Sequence, residues 1–162
     1  MAYFALAAGH GKNDSGAVKG SRYEKNDNLK ISLAVGSELE KRGHRVIQYR
    51  TTDAINCDYA DCRRWLEKTK ADFAIVFHRN SFSSASANGV EVWRFDADKK
   101  SSDIATALST KIAAVSGMYN RGRKGNGAAW LSAKVPCCEP EIGFVSKSGD
   151  NSKFDKSFND IV

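Results

Sequence analysis

The stretch Tyr3-Phe4-Ala5-Leu6-Ala7-Ala8-Gly9-His10-Gly11 decides the fold. Six apolar residues closed by a Gly-flanked histidine read as a buried strand. A second run, Phe73-Ala74-Ile75-Val76-Phe77, also ends at a histidine, His78. Between them, Leu29, Ile31, Leu33, Val35 and Leu39 recur on one broad arc, which predicts a helix capped at Asn26 or Asp27 and closed by Gly43. Arg45 to Tyr49 reads as a strand and Ala54 to Thr69 as a helix. Gly89 to Phe95, rich in β-branched and aromatic residues, reads as a further strand, followed by a helix from Ser101 to Ser116. The glycine-rich, basic segment Asn120 to Gly127 reads as a loop. Ala128 to Ala133 and Pro136 to Gly143 read as strands, and a last amphipathic helix starts near Asn151.

Such alternation predicts an α/β domain: a mixed, mostly parallel twisted sheet of about six strands with helices on both faces. In such sheets ligand groups gather beyond the carboxyl ends of the strands. His10 and His78 both stand there, and Glu24 lies in a polar loop just ahead of the first helix. Two imidazoles and one carboxylate would leave zinc an open fourth position, the arrangement of a catalytic site. Placement alone leaves two readings open: three ligands of one ion, or unrelated loop residues. His44, beside the helix-closing Gly43, reads as a surface histidine.

With 162 residues, the chain is expected to form a single domain with a real core. The net charge of +6 favours an anionic partner such as nucleic acid, a membrane surface or a wall polymer, or else a solvated basic surface. No run approaches the ~20 apolar residues of a membrane span, and the first strand lacks the basic flank of a signal peptide. Cys57, Cys62, Cys137 and Cys138 match no zinc-finger or redox spacing. They read as reduced residues, the adjacent pair buried on a strand, and Cys57–Cys62 is the more plausible pair if any disulfide forms.

A longer ordered string links these features. It runs through Gly9-His10-Gly11, Asp14, Gly16, Ala17, Glu24, Asn28 and Leu29, then Leu39-Glu40, Gly43, Val46, Arg50, Asp53 and Arg63. It continues with Ala71-Asp72, His78-Arg79-Asn80-Ser81, Ala87, Gly89, Glu91 and Glu141-Ile142-Gly143-Phe144. From Ala5 to about Phe154 the chain resembles the zinc-dependent N-acetylmuramoyl-L-alanine amidases, the peptidoglycan amidases of bacterial autolysins and phage endolysins.

The resemblance implies one Zn²⁺ held by His10, Glu24 and His78, with Glu141 as the catalytic carboxylate. Glu139, two positions earlier on the same side of a strand, is its one competitor. The family's reaction is hydrolysis of the amide between N-acetylmuramic acid and L-alanine of the stem peptide. Zinc would acidify its water toward pKa ~7 and polarise the carbonyl, while Glu141 passes a proton to the amine. Asn80, Arg79, Trp130 and Arg121 are candidate substrate contacts. Trp93 could line a groove or sit in the core.

Three positions depart from the family pattern: Lys12 in place of a second glycine, Arg79 in place of a small or apolar residue, and Tyr49 in place of threonine. A single catalytic domain is expected over residues 1–162, and because the last amphipathic segment is still running at Val162, a cell-wall-binding domain is possible beyond. The resemblance implies action on peptidoglycan at the bacterial cell wall; a monomer is expected, although the sequence leaves the oligomeric state open, with no nucleic acid partner and no membrane insertion. Cytoplasmic synthesis with release by a lysis partner is expected, or secretion with a leader removed. Two rivals remain: a different zinc peptidase or carboxypeptidase acting on the stem peptide, and a non-enzymatic basic wall- or nucleic-acid-binding module.

Overall fold

A computed structural model of the chain describes residues 1–84, 86–94, 99–125 and 134–162. Its elements are β1 (Tyr3–Ala8), β2 (Val18–Lys19), β3 (Arg22–Tyr23), α1 (Glu24–Lys41), β4 (Arg45–Gln48), α2 (Tyr59–Thr69) and β5 (Phe73–Asn80). They continue with β6 (Val90–Arg94), α3 (Lys99–Ser116), β7 (Asn120–Gly125), β8 (Cys137–Phe144), α4 (Ser148–Lys156) and α5 (Phe158–Ile161). Six strands form one sheet in the order β4-β1-β5-β8-β6-β7, and β2 pairs with β3 in a separate ribbon. β4, β1, β5 and β8 run parallel, β6 is antiparallel to β8, and β7 is parallel to β6. The carboxyl ends of β1, β5 and β8 therefore meet the amino ends of β6 and β7 at one end of the sheet.

Alternation along the strands sorts the core into two layers. Leu6, Phe73, Ile75, Phe77, Val90, Val92, Cys138 and Ile142 join Ile31 of α1, Ala105 and Ile112 of α3 and Phe154 of α4 in one cluster. Ala5, Ala7, Ala74, Val76 and Cys137 face the other way, against Cys62 and Leu66 of α2. Helices thus cover both faces, as the alternation of elements predicts. All four cysteines are buried free thiols. His44 is half-buried, its Nδ1 accepting from the Ala2 amide at 3.2 Å and its ring edge-on to Phe4.

Several boundaries differ from the sequence expectation. α1 begins at Glu24, with Tyr23 at the capping position and no side-chain cap, so Glu24 belongs to the helix and not to the loop before it. α2 begins only at Tyr59, where the Asp58 carboxylate accepts from the Asp61 amide at 2.8 Å. Asn120–Gly125 is a strand, not a loop: it completes the sheet as a polar edge whose backbone pairs with β6. Edge strands of this kind carry charge instead of an apolar alternation, which hides them from pattern reading. The expected strand at Ala128 to Ala133 lies outside the described residues.

Candidate metal centre

His10 ends the first strand in a turn of unusual backbone: φ is 62° at His10, 134° at Gly11 and 46° at Lys12. Left-handed backbone at two non-glycine residues costs on the order of 1 kcal/mol each and persists only where the surroundings enforce it. Here Arg50 does so from within. Its buried guanidinium donates to the carbonyls of Ala8 at 2.9 Å, Gly9 at 3.2 Å, Lys25 at 2.8 Å and Thr52 at 3.2 Å. Asp53 adds a second tie, accepting from the Lys12 amide at 2.8 Å and from Lys25 Nζ at 2.6 Å. Both residues stand in the ordered string of the sequence, which carried no hint that they brace the His10 turn.

The fold brings His10, Glu24 and His78 together. Their ligand atoms all lie within 4.8 Å of one another. Glu24 is the hub: Oε2 is 3.1 Å from His10 Nε2 and accepts from the Ala17 amide at 2.9 Å. Its Oε1 is 3.0 Å from His78 Nδ1 and accepts from the Arg79 amide at 2.9 Å and Asn28 Nδ2 at 3.2 Å. On the outer side, His10 Nδ1 is 2.7 Å from Asp14 Oδ2. That contact orients the ring and leaves Nε2 to the centre, the usual support of a metal-binding imidazole.

Two glycines keep the cradle open. A Cβ at Gly16 would stand 2.5 Å from His10 Cδ2 and 2.6 Å from Glu24 Oε2, and one at Gly9 would overlap the His78 imidazole. Two imidazoles and a carboxylate, converging and buried on one side, fit a divalent ion with an open position.

Electrostatics agree with that fit. Burial alone would raise the Glu24 carboxyl, but its contacts with His10 and His78 outweigh burial and hold it far below the usual carboxylate range. Burial alone would lower His10; the carboxylates of Glu24 and Asp14 prevail and push it up to about 9. The cluster is built for positive charge.

Glu141 lies one strand away. It faces His78 in the parallel pairing of β5 with β8, and Glu91 in the antiparallel pairing of β8 with β6. Glu139 is also close: ligand atoms of His78, Glu139 and Glu141 come within 4.8 Å of one another. Burial first, then Glu139, Glu24 and Glu91, push the Glu141 carboxyl well above its ordinary value. Its Oε2 is buried and has no hydrogen-bond partner among the described residues. A dication beside it would offset part of that rise. A carboxyl raised by burial and like charge is suited to proton transfer near neutral pH.

The candidate substrate residues separate. Asn80 follows His78 by two and shares its face, where Nδ2 donates to Glu91 Oε1 at 2.9 Å and Oδ1 accepts from the Ser81 amide at 2.8 Å. Arg121 Nε donates to Glu91 Oε2 at 2.7 Å. Trp93 is half-buried against the α2 side of the core, with Nε1 donating to Glu91 at 3.2 Å. Trp130 lies outside the described residues.

Apart from its backbone amide, Arg79 does not reach the site. The pleat turns it to the opposite face from His78, where its side chain is fully buried. There it donates to Asp27 Oδ2 at 2.6 Å and to the Ile142 carbonyl at 2.9 Å, and stacks on Phe154. Glu91, which gathers Asn80, Trp93 and Arg121, belongs to the site's surroundings although the sequence offered no role for it.

A mixed α/β sheet thus carries, at one end, a two-histidine, one-carboxylate cluster that could hold a metal ion, beside a glutamate whose carboxyl is raised. Residues 5–161 match the family described as N-acetylmuramoyl-L-alanine amidase, and the chain belongs to that family. It is 28% identical over 149 residues to the N-acetylmuramoyl-L-alanine amidase LytC of Bacillus subtilis (strain 168), covering 90% of this chain and 30% of LytC. The chain thus spans less than a third of that relative's length. Among solved structures, the catalytic domain of CwlV, an N-acetylmuramoyl-L-alanine amidase from Bacillus (Paenibacillus) polymyxa var. colistinus, superposes with a TM-score of 0.88. Identity is 28%, and the match covers 100% of this chain and 92% of that one. The N-acetylmuramoyl-L-alanine amidase of Clostridium difficile 630 shares the fold, with a TM-score of 0.89 at 24% identity over 99% of this chain and 89% of that one.

Proposed function

We propose that this chain is a zinc-dependent peptidoglycan hydrolase that cuts the amide joining the lactyl group of N-acetylmuramic acid to L-alanine of the stem peptide. The observation that carries the reading is Glu141 placed beside His78, which sets a proton-transfer carboxyl next to the His10–Glu24–His78 centre. Those three residues would hold the ion, which when bound supplies a Lewis acid for the carbonyl and lowers the pKa of water.

The chain's own groups do the rest. Glu24 and Asp14 fix the two imidazoles, and Arg50 holds the turn that presents His10. Glu141 takes the proton of the attacking water and delivers it to the amide nitrogen as the C–N bond breaks, so that the leaving group departs as an amine. Burial and the neighbouring Glu139 carboxylate keep the Glu141 carboxyl in the protonatable range.

The net charge of +6 suits an anionic wall polymer. The protein would act at the bacterial cell wall as a monomeric catalytic domain. No helix among the described residues is long and apolar enough to cross a membrane.

Mass spectrometry of digested peptidoglycan tests the reading. Release of intact stem peptides with a new N-terminal alanine supports it. Cuts inside the stem peptide would point to a zinc peptidase instead. Binding without any cleavage, unaffected by chelator, would point to a non-enzymatic wall module.

A further inference from the structure

Across the sheet the functional groups fall in one line: His10 beyond β1, His78 on β5, Glu141 on β8, Glu91 on β6 and Arg121 on β7. Past Glu141 in that line lies a surface pocket of about 400 Å³, whose lining includes Asn80, Phe82, Ser84, Ser86, Glu91 and Arg121. Glu91 forms its floor and is almost wholly buried, 4% exposed. Its two oxygens are taken by Asn80, Trp93 and Arg121.

Among the described residues Arg121 is held by one nitrogen. Nε is bonded to Glu91, the guanidinium rests 5.2 Å from the Phe144 ring centroid, and the side chain is 32% exposed. Among the described residues its two terminal nitrogens have no acceptor. A fork fixed at one end with its donors at a pocket edge is the arrangement that binds a carboxylate.

We infer that this pocket is the stem-peptide subsite and that Arg121 binds the carboxylate of the second stem residue, so that Arg121 sets the enzyme's preference for acidic over amidated stems. The inference rests on the amidase reading above. Glu141 protonates the amine, so the peptide half of the substrate must lie on its side, toward β6 and β7, and the sugar half toward His10. Glu141 and Arg121 are two strands apart, roughly 10 Å at ~4.8 Å per strand. An extended peptide advances ~3.3 Å per residue, so the second residue lies ~6.6 Å beyond the scissile nitrogen, and its own carboxylate together with the length of the Arg121 side chain spans the rest. Glu91 is the positioning residue that presents the fork.

The test uses a matched pair of N-acetylmuramoyl tripeptides, one with a carboxylate and one with a carboxamide on the second residue. The zinc-loaded protein is expected to favour the carboxylate form about tenfold through KM, the size of one charge-assisted hydrogen bond. Arg121→Gln should erase that preference by raising KM for the carboxylate form alone, with kcat within about twofold, and Arg121→Lys should keep part of it. A preference that survives Arg121→Gln, or a kcat loss shared by both substrates, overturns the inference.

Calorimetry provides a readout independent of turnover. The carboxylate tripeptide should bind the Glu141→Gln protein about tenfold more tightly than the Glu141→Gln, Arg121→Gln protein. Equal affinities overturn the subsite. Failure of the wild-type protein to cut either tripeptide would instead count against the amidase reading, while the binding comparison still decides the pocket.

Discussion

Glu141 and His78 are partners in the parallel pairing of β5 with β8 and point to the same face of the sheet. The proposed proton-transfer carboxyl and one proposed metal ligand are thereby fixed by backbone hydrogen bonds, not by loops. Glu141→Gln removes the proton carrier and keeps the shape. The variant should lose about 10²- to 10⁴-fold in kcat on muropeptides. Its zinc content, read by atomic absorption after dialysis, should stay at the wild-type level, since the three proposed ligands are untouched. Wild-type turnover in the variant would transfer the role to Glu139.

Zinc affinity should depend steeply on pH, with a sign set by His10. The metal-free imidazole is raised to about 9 by its two carboxylate neighbours, so at neutral pH it carries a proton that the metal must displace. Affinity should therefore weaken about tenfold per unit as pH falls below about 9. Calorimetric titrations of zinc in buffers of different ionisation enthalpy, at pH near 7.5, should show release of close to one proton. The same shift makes a second sign. In metal-free protein the His10–Glu24 contact is fully present below pH ~6.5 and fades as pH climbs to about 9, so alkaline solution should destabilise the metal-free form more than the zinc-loaded one. No proton release would show that His10 is neutral before the metal arrives.

Arg79→Met tests the reassignment of Arg79 from substrate contact to internal clamp. Its guanidinium ties Asp27, one turn beyond Glu24, to the carbonyl of Ile142, next to Glu141. Loss of one partner of a buried pair typically costs about 3–5 kcal/mol. Asp27 keeps Arg22 at 2.7 Å, so the lower end applies here. Urea unfolding should report that loss, while KM of the folded variant changes little. An unchanged midpoint with a large rise in KM would return Arg79 to the substrate site.

The sheet and the two histidines were legible because both leave one-dimensional traces, while Glu24 joined them only through the family resemblance. Apolar runs at 3–8 and 73–77 mark two neighbouring interior strands, and histidines just past them mark the end of the sheet where ligands gather. Arg79 was misread for a reason also present in the sequence: on a strand His78 and Arg79 must face opposite ways, so only one of them could serve the site. β7 was hidden because an edge strand needs no apolar alternation, and NRGRKG shows none. Glu91 could not be found from spacing. Its importance comes from Trp93, two residues on along β6, and from Asn80 of β5 and Arg121 of β7, which only the sheet brings to it.

Two glycines with the same backbone separate metal-site packing from backbone strain. Gly16 and Gly20 both have φ of 60°, so alanine at either costs about 1 kcal/mol in left-handed backbone. They differ in surroundings: nothing lies within 4 Å of a Cβ at Gly20, whereas one at Gly16 meets His10 Cδ2 at 2.5 Å and Glu24 Oε2 at 2.6 Å. Gly20→Ala should therefore lower stability by about 1 kcal/mol and leave zinc affinity alone. Gly16→Ala should lose at least about tenfold in zinc affinity, measured by competition with a chromophoric chelator, because His10 and Glu24 must separate to admit the methyl group. Equal zinc affinities in the two variants would show that the cradle tolerates that displacement and that Gly16 serves the turn alone.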